Sequence, residues 1–191
     1  MVISLSGVEK RIRPLRKADL AILRRWDGDP ELQQLTGRKF DSEEDMSRWW
    51  ESIARDRSRL AVAIVDDLGR LIGDIELENV AWRAGEAELR IAIGDKSCWN
   101  QGYGTEALVE MARIAFEHLR LDSLYLRVSD QNVRAIRSYG KAGFRKVGRL
   151  RATGRLKGAD SLVLMRMTPM TFVDHGVSES AMREGCMSTA R

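Results

Sequence analysis

Hydrophobic and polar positions repeat with two different periods along the chain, and their order predicts the elements of the fold. Continuous or alternating apolar positions, the pattern of strands, occur in seven segments: 8–15, 60–65, 70–80, 86–93, 123–128, 144–151 and 161–167. Apolar positions at helical spacing occur in four: 17–26, 42–55, 105–120 and 132–142. The predicted order is β-α-α-β-β-β-α-β-α-β-β, which indicates an α/β fold with a mixed sheet and helices on both faces.

Local end signals support several of these elements. Asp41 with Glu44 has the pattern of a capping box at the start of the second helix. Asn132 is a typical N-cap and Gly143 a typical C-terminal stop for the last helix. The three successive strands between 60 and 93 are joined by short turns and predict an antiparallel meander.

Length and composition indicate one ordinary domain. The chain has 191 residues, of which 43% are hydrophobic and 31% charged. The pattern stops near Pro169, so we expect a domain over 1–168 and a C-terminal tail over 169–191. A loose terminus is the simplest interpretation of this tail, and a short helix over 179–187, a dimer arm or a cover for the active site are alternatives.

Several classes of partner are disfavoured. The longest apolar runs are far shorter than the ~20 residues of a membrane span, and the N-terminus lacks the core of a signal peptide, which predicts a cytoplasmic protein without a membrane partner. The net charge of +4 is scattered, does not argue for nucleic acid, and fits a small anionic ligand. Two cysteines and two histidines lie far apart, so no metal site is expected.

A loop with two glycines joins the strand that ends at Ile93 to the helix that follows. The first amides of a helix have no intrahelical partner, and the helix dipole adds positive charge there, so the amides from Gln101 to Thr105 can bind an anion. Gly102-x-Gly104 is weak evidence alone, because many loops contain glycines only to turn. It also matches G-x-G-x-x-A of dinucleotide-binding oxidoreductases, but the segment between Ile93 and Gly102 is too long for that motif, which favours another kind of pyrophosphate site.

A second motif lies in the last helix and carries a family resemblance together with the loop. The segment from Asn132 to Phe144 has the form N-x-x-A-x-x-x-Y-x-x-x-G-F. With the loop WNQGYGTEAL and the opening RIRPLRKADL, it resembles the GNAT superfamily of N-acetyltransferases, and within it the ribosomal-protein and spermidine acetyltransferases. The resemblance spans roughly 11–167. Two positions depart from the pattern: Trp99 stands where the superfamily has Gln or Arg, and Gly140 interrupts the helix.

The resemblance implies a reaction and a set of site residues. Acetyl would pass from acetyl-CoA, the only cofactor implied, to a primary amine of a small molecule or a protein N-terminus by direct attack in a ternary complex. Tyr139 would be the general acid and Glu88 the base, with Glu86 and Glu76 as competitors. The implied coenzyme-binding residues are Ile91, Ile93, Asn100, Gln101, Gly102, Tyr103, Gly104, Thr105 and Asn132.

Plainer roles remain open for these residues. Tyr139 can pack beneath its helix, Glu88 can be a solvated strand residue, and Asn132 can be an N-cap only. Cys98 has no histidine nearby in sequence, which disfavours a nucleophilic role. Trp26, Trp49 and Trp50 are expected in the core, with one of them lining the acceptor pocket as the alternative. A non-catalytic acyl-CoA-binding regulator, and a homodimer, are compatible with the same sequence.

Overall fold

The computed structural model describes residues 10–36, 40, 42–151 and 161–172. The strands are β1 Ile12–Pro14, β2 Leu60–Val65, β3 Leu71–Ala81, β4 Glu86–Ile93, β5 Ser123–Ser129, β6 Arg145–Arg151 and β7 Ser161–Met167. The helices are α1 Leu20–Asp27, α2 Pro30–Thr36, α3 Glu43–Arg55, α4 Tyr103–Arg113 and α5 Val133–Ala142. Within the described ranges, one seven-stranded sheet has the order β1-β2-β3-β4-β5-β7-β6, in which only the β4–β5 pair is parallel. The predicted mixed sheet is confirmed.

Helix α2 is an element that the sequence analysis did not predict. The residues Asp27-Gly28-Asp29-Pro30 have the composition of a chain break, and no helical spacing is predicted after them before residue 42. In the structure Asp29 Oδ1 accepts the amides of Glu31 and Leu32, at 2.9 and 3.2 Å, and Pro30 occupies the first helical position, where its missing N–H costs nothing. The signal that ends α1 therefore also starts the next helix.

Helix ends differ from the predictions in two other places. The predicted cap Asp41 lies outside the described residues, and the N-cap of α3 is Ser42, whose hydroxyl accepts the Asp45 amide at 3.1 Å. Helix α4 starts at Tyr103, two residues earlier than predicted, and continues beyond Arg113 as a π-helical turn over Ile114–His118.

None of the described helices is both long and apolar enough to span a membrane.

The central strands of the sheet are buried on both faces, as the continuous apolar run of β2 indicates. Leu60, Val62 and Ile64 of β2 belong to the larger core, which also contains the buried side of α4 and residues of α5. Ala61 points to the other face, into a smaller core formed with α1 and α3. Helices therefore cover both faces, which confirms this part of the predicted architecture.

The chain beyond β7 still contacts the core for a short distance. The Phe172 ring packs edge-on against Phe116, with 5.8 Å between the ring centroids. Residues 173–191, which include the predicted tail helix, lie outside the described residues. The domain boundary at 168 stays a proposal.

Glu110 ties α4 to the start of β1. Its carboxylate accepts the backbone amides of Lys10, Arg11 and Ile12 at 2.9–3.1 Å, and burial raises the pKa of this group.

We expect Glu110→Ala to lower the free energy of unfolding by about 3 kcal/mol, because three amides lose a charged acceptor. Denaturant titration measures this effect. Glu117→Ala, at an exposed site of the same helical run, is the control. A loss for Glu110→Ala no larger than the control's would contradict the assignment.

Candidate active site

A cavity of about 890 Å³ opens where β4 and β5 separate. The two strands pair only from Glu86 with Ser123 to Glu88 with Tyr125, although both continue further. The cavity is lined by most of the predicted site residues: Glu88, Ile91, Ile93, Asn100, Gly102, Gly104, Thr105, Asn132 and Tyr139. The side chains of Gln101 and Tyr103 point elsewhere, to the Ser97 carbonyl and the Asp67 carboxylate. These two residues can face a ligand only with their backbone amides.

The glycine loop is held against the end of β4 by Trp99. Its indole N–H donates to the Ile93 carbonyl at 2.8 Å. Gly102 follows with φ of +92°, a left-handed conformation that glycine adopts without steric cost, and it is the N-cap of α4. Trp99, which stands where the superfamily has Gln or Arg, therefore holds the glycine loop against β4.

The backbone amides at the start of α4 are largely without protein partners. Within the described residues, the amides of Gln101, Gly102, Tyr103 and Gly104 have no acceptor. The Thr105 amide, which was predicted to be available for an anion, instead donates to the Gly102 carbonyl at 2.8 Å, because the first turn closes on that carbonyl. The Thr105 hydroxyl lies 2.8 Å from that of Ser138 and joins α4 to α5.

The open edge of β4 directs backbone donors into the gap. The Gly94 amide donates to Ile72 of β3 at 2.9 Å, and donors alternate between the two edges of a strand. The amides of Ile91 and Ile93 therefore point away from β3, toward the space between β4 and β5. Ile91 and Ile93, which the resemblance implies as coenzyme-binding residues, thus present backbone donors to the cavity.

Cationic side chains from α5 line the same cavity, and the sequence analysis did not identify them. The Arg134 guanidinium stacks on the Trp99 ring, 3.5 Å from its centroid, and burial lowers the pKa of Arg134. Arg137 and Lys141 also line the cavity. Their spacing along one helix face was a signal available in the sequence.

Tyr139 extends from α5 into the cavity. Its ring packs edge-on against Phe144, with 5.9 Å between the ring centroids, and the described residues offer its hydroxyl no hydrogen bond. Burial raises the pKa of Tyr139 to about 12, opposed by the charge of Arg90. The phenol therefore keeps its proton at neutral pH. Asn132, which also lines the cavity, is the N-cap of α5 and accepts the Ala135 amide at 3.1 Å.

Glu88, on β4, also lines the cavity and forms a tight ion pair. The Arg127 guanidinium donates three hydrogen bonds of 2.8–2.9 Å to its two carboxylate oxygens. Asn79 donates a further one at 3.3 Å. Glu88 is 5% exposed, so it is not the solvated strand residue that was the plainer alternative.

Beside Glu88, β3 adds two carboxylates that share an arginine. In the β3–β4 register, Glu76 lies opposite Arg90 and Glu78 opposite Glu88. Arg59 donates to Glu76 at 2.8 Å and to Glu78 at 2.9 Å. Burial, with the nearby charge of Glu78 adding to it, raises the pKa of Glu76 to about 7.

Cys98 lies at the cavity, whereas Trp26, Trp49 and Trp50 lie in or against the smaller core. Cys98 lines the cavity, but burial raises the pKa of its thiol, which disfavours the thiolate that a nucleophile needs. Trp49 is buried, and Trp26 and Trp50 pack against the same small core, while none of the three lines the cavity. In the described part of the chain, no group of three or more acidic, histidine or cysteine side chains could hold a metal ion.

Comparisons with known proteins agree with this geometry. The model of the acetyltransferase (GNAT) domain matches residues 11–145. An N-acetyltransferase 9-like protein of Caenorhabditis elegans is 22% identical, over 71% of this chain and 74% of its own. The acetyltransferase PseH of Campylobacter jejuni is 23% identical, over 71% and 82%.

A solved structure shares the fold. The spermidine N-acetyltransferase of Vibrio cholerae, in complex with CoA and spermine, superposes with a TM-score of 0.77 at 19% identity, and the match covers 85% of this chain and 97% of that one. Because the domain model covers well over half of the 191 residues, the chain belongs to the GNAT acetyltransferase family.

Proposed function

We propose that this protein transfers the acetyl group of acetyl-CoA to a primary amine of a small molecule, with both substrates bound together. The observation that carries the proposal is a single cavity that joins the unpaired amides of the glycine loop, the Tyr139 phenol and a wall of carboxylates. The binding of CoA and spermine by the similar V. cholerae enzyme supports both halves of this assignment.

The coenzyme diphosphate binds at the start of α4. The amides from Gln101 to Gly104 donate to its oxygens, and the helix dipole favours negative charge at this end. Arg134 and the other cations of α5 add positive charge to the same wall. The acyl arm then runs along the open edge of β4 toward Tyr139.

The amine must lose a proton before it attacks. A lysine-like amine has a pKa of ~10.4, so only about one molecule in 2,500 is neutral at pH 7. The neutral amine attacks the thioester carbonyl, whose oxygen accepts a hydrogen bond from the amide of Ile91 or Ile93. The carbon–sulfur bond then breaks, the sulfur accepts the proton of Tyr139, and the proton that the nitrogen loses returns to the phenolate through solvent. Glu88 serves as the base only if it separates from Arg127, because that guanidinium occupies both of its oxygens.

Thiol release from acetyl-CoA in the presence of different amines tests the proposal. We expect release only with an amine present, one equivalent per acetylated product, for at least one of spermidine, an amino sugar and a dipeptide with a free N-terminus. The dipeptide also tests the protein N-terminus as the acceptor. Initial rates against both substrates should give intersecting double-reciprocal lines, because no acetyl-enzyme forms. Parallel lines would contradict direct transfer. Coenzyme binding without release for any amine would instead favour a regulator.

A further inference from the structure

Glu76 is a buried carboxylate in the middle of β3 that reaches the cavity from the face that α1 and α3 cover. It is 3% exposed and lines the cavity. Its Oε1 accepts Arg59, whereas the described residues give Oε2 no hydrogen bond. One oxygen is therefore anchored and the other has lone pairs available.

The register of the sheet places Glu76 beside the reaction centre. Ile75 lies opposite Ile91, and Glu76 opposite Arg90. Directly opposite side chains in an antiparallel pair project to the same face, so Glu76 stands next to the part of β4 whose Ile91 amide points into the gap. An amine that approaches the acyl carbon from this face meets Glu76.

We infer that Glu76, rather than Glu88, accepts the proton of the attacking amine, directly or through one water. This inference rests on the proposed function. The amine N–H bond breaks as an O–H bond forms on Glu76, and the nitrogen lone pair forms the new bond to the acyl carbon. The sulfur leaves with its bonding pair and takes the Tyr139 proton. Solvent returns the proton from Glu76 to the phenolate, so the net products are the amide and the free thiol.

The two carboxylates differ in how fully their charge is neutralised. Arg127 donates to both oxygens of Glu88, and Asn79 donates to one of them. The Glu88 carboxylate therefore has few lone pairs left to accept a proton. Within the described residues, the ion-pair partner of Glu76 is Arg59 alone, and Arg59 also binds Glu78, which has Arg90 as a second partner at 3.2 Å. A base is most effective when its pKa lies near the working pH, and the pKa of Glu76 is about 7.

Charged groups around Glu76 come from each neighbouring strand. The groups that face it or lie beside it are Arg59 before β2, Asp74 and Glu78 on β3, and Arg90 and Glu88 on β4. Glu78 and Asp74 raise the pKa of Glu76, and Arg59 lowers it. Removing the charge of Glu78 should therefore lower the pKa of Glu76, and this shift can be measured in the pH profile.

The pH dependence of kcat/KM for the wild type and three variants tests the inference. In the wild type we expect activity to fall on the acid side with an inflection near pH 7, since only the carboxylate form of Glu76 accepts a proton. E76Q should lower kcat by ~10²–10⁴-fold and abolish this inflection. E78Q should retain the inflection at a lower pH. E88Q should leave it near pH 7, whatever its effect on the rate.

The outcomes separate this inference from the proposed function. A wild type that acetylates no amine overturns both. An active wild type whose inflection persists in E76Q, or disappears in E88Q, overturns the inference alone. Unchanged CoA affinity in E76Q shows that the variant is folded. If E76Q does not fold, E76D decides, because a shift of the inflection in this variant supports Glu76 and an unmoved inflection overturns the inference.

Discussion

Replacing Tyr139 with phenylalanine is expected to lower the rate of acetyl transfer by ~10²–10⁴-fold while leaving the affinity for CoA nearly unchanged. The variant loses only the hydroxyl, which has no partner among the described residues and faces the cavity. The ring and its edge-on contact with Phe144 remain, so the fold should be preserved. Without this donor, the sulfur must leave as an unassisted thiolate.

Measurements of turnover and CoA binding on one preparation check this result. Tyr125→Phe is the matched control, because it removes a phenol hydroxyl from β5 at a residue that does not line the cavity. Equal turnover in Tyr139→Phe and the wild type would remove the general acid from the mechanism. A wild type that binds CoA without any turnover, and is equally insensitive to the substitution, would identify an acyl-CoA-binding regulator.

Most of the fold was predictable because most of its elements carry a strong local signal. The continuous apolar run of β2 and the alternation in β4 gave their observed bounds, and Asn132 and Gly143 mark the ends of α5 as expected. Helix α2 was missed since its seven residues contain only two leucines at helical spacing. The glycine loop was found because unpaired amides at a helix start are a typical anion site, and the tyrosine motif because it resembles that of the GNAT superfamily.

The charged wall of the cavity could not be predicted in the same way. Asp74, Glu76 and Glu78 alternate with apolar residues, which is also the pattern of a strand with one solvated face. Their burial depends on helices that are distant in sequence, and their charges are balanced by arginines that the sequence alone does not pair with them. One signal for a buried acidic site was available. The predicted helices cover both faces of the sheet, so an acidic stripe on a central strand has no solvated face to occupy.

Replacing Gly102 with valine is expected to weaken CoA binding by ~100-fold or more. Gly102 has φ of +92°, which a β-branched residue adopts at a cost of about 1–3 kcal/mol. Relief of this strain would turn the amides of the loop away from the diphosphate, and each hydrogen bond to a charged group contributes about 1.5–3 kcal/mol. Since 1.4 kcal/mol corresponds to a tenfold change in affinity, two disturbed contacts suffice. Isothermal titration with CoA measures the change.

Gly104→Ala tests whether CoA occupies the space beside Gly104, because this substitution should not destabilise the free loop. A Cβ at Gly104 would meet Ile93 at 3.7 Å and Ser138 at 4.0 Å, which are ordinary contacts, so the free protein should accept alanine. Because Gly104 lines the cavity, the added methyl group should still reduce CoA affinity while the melting temperature stays the same or rises. Gly148→Val, on exposed β6 with nothing within 4 Å of its Cβ, is the control and should bind CoA normally. Wild-type affinity in both Gly102→Val and Gly104→Ala would mean that the diphosphate binds elsewhere, since no ligand can contact these amides closely and ignore both side chains.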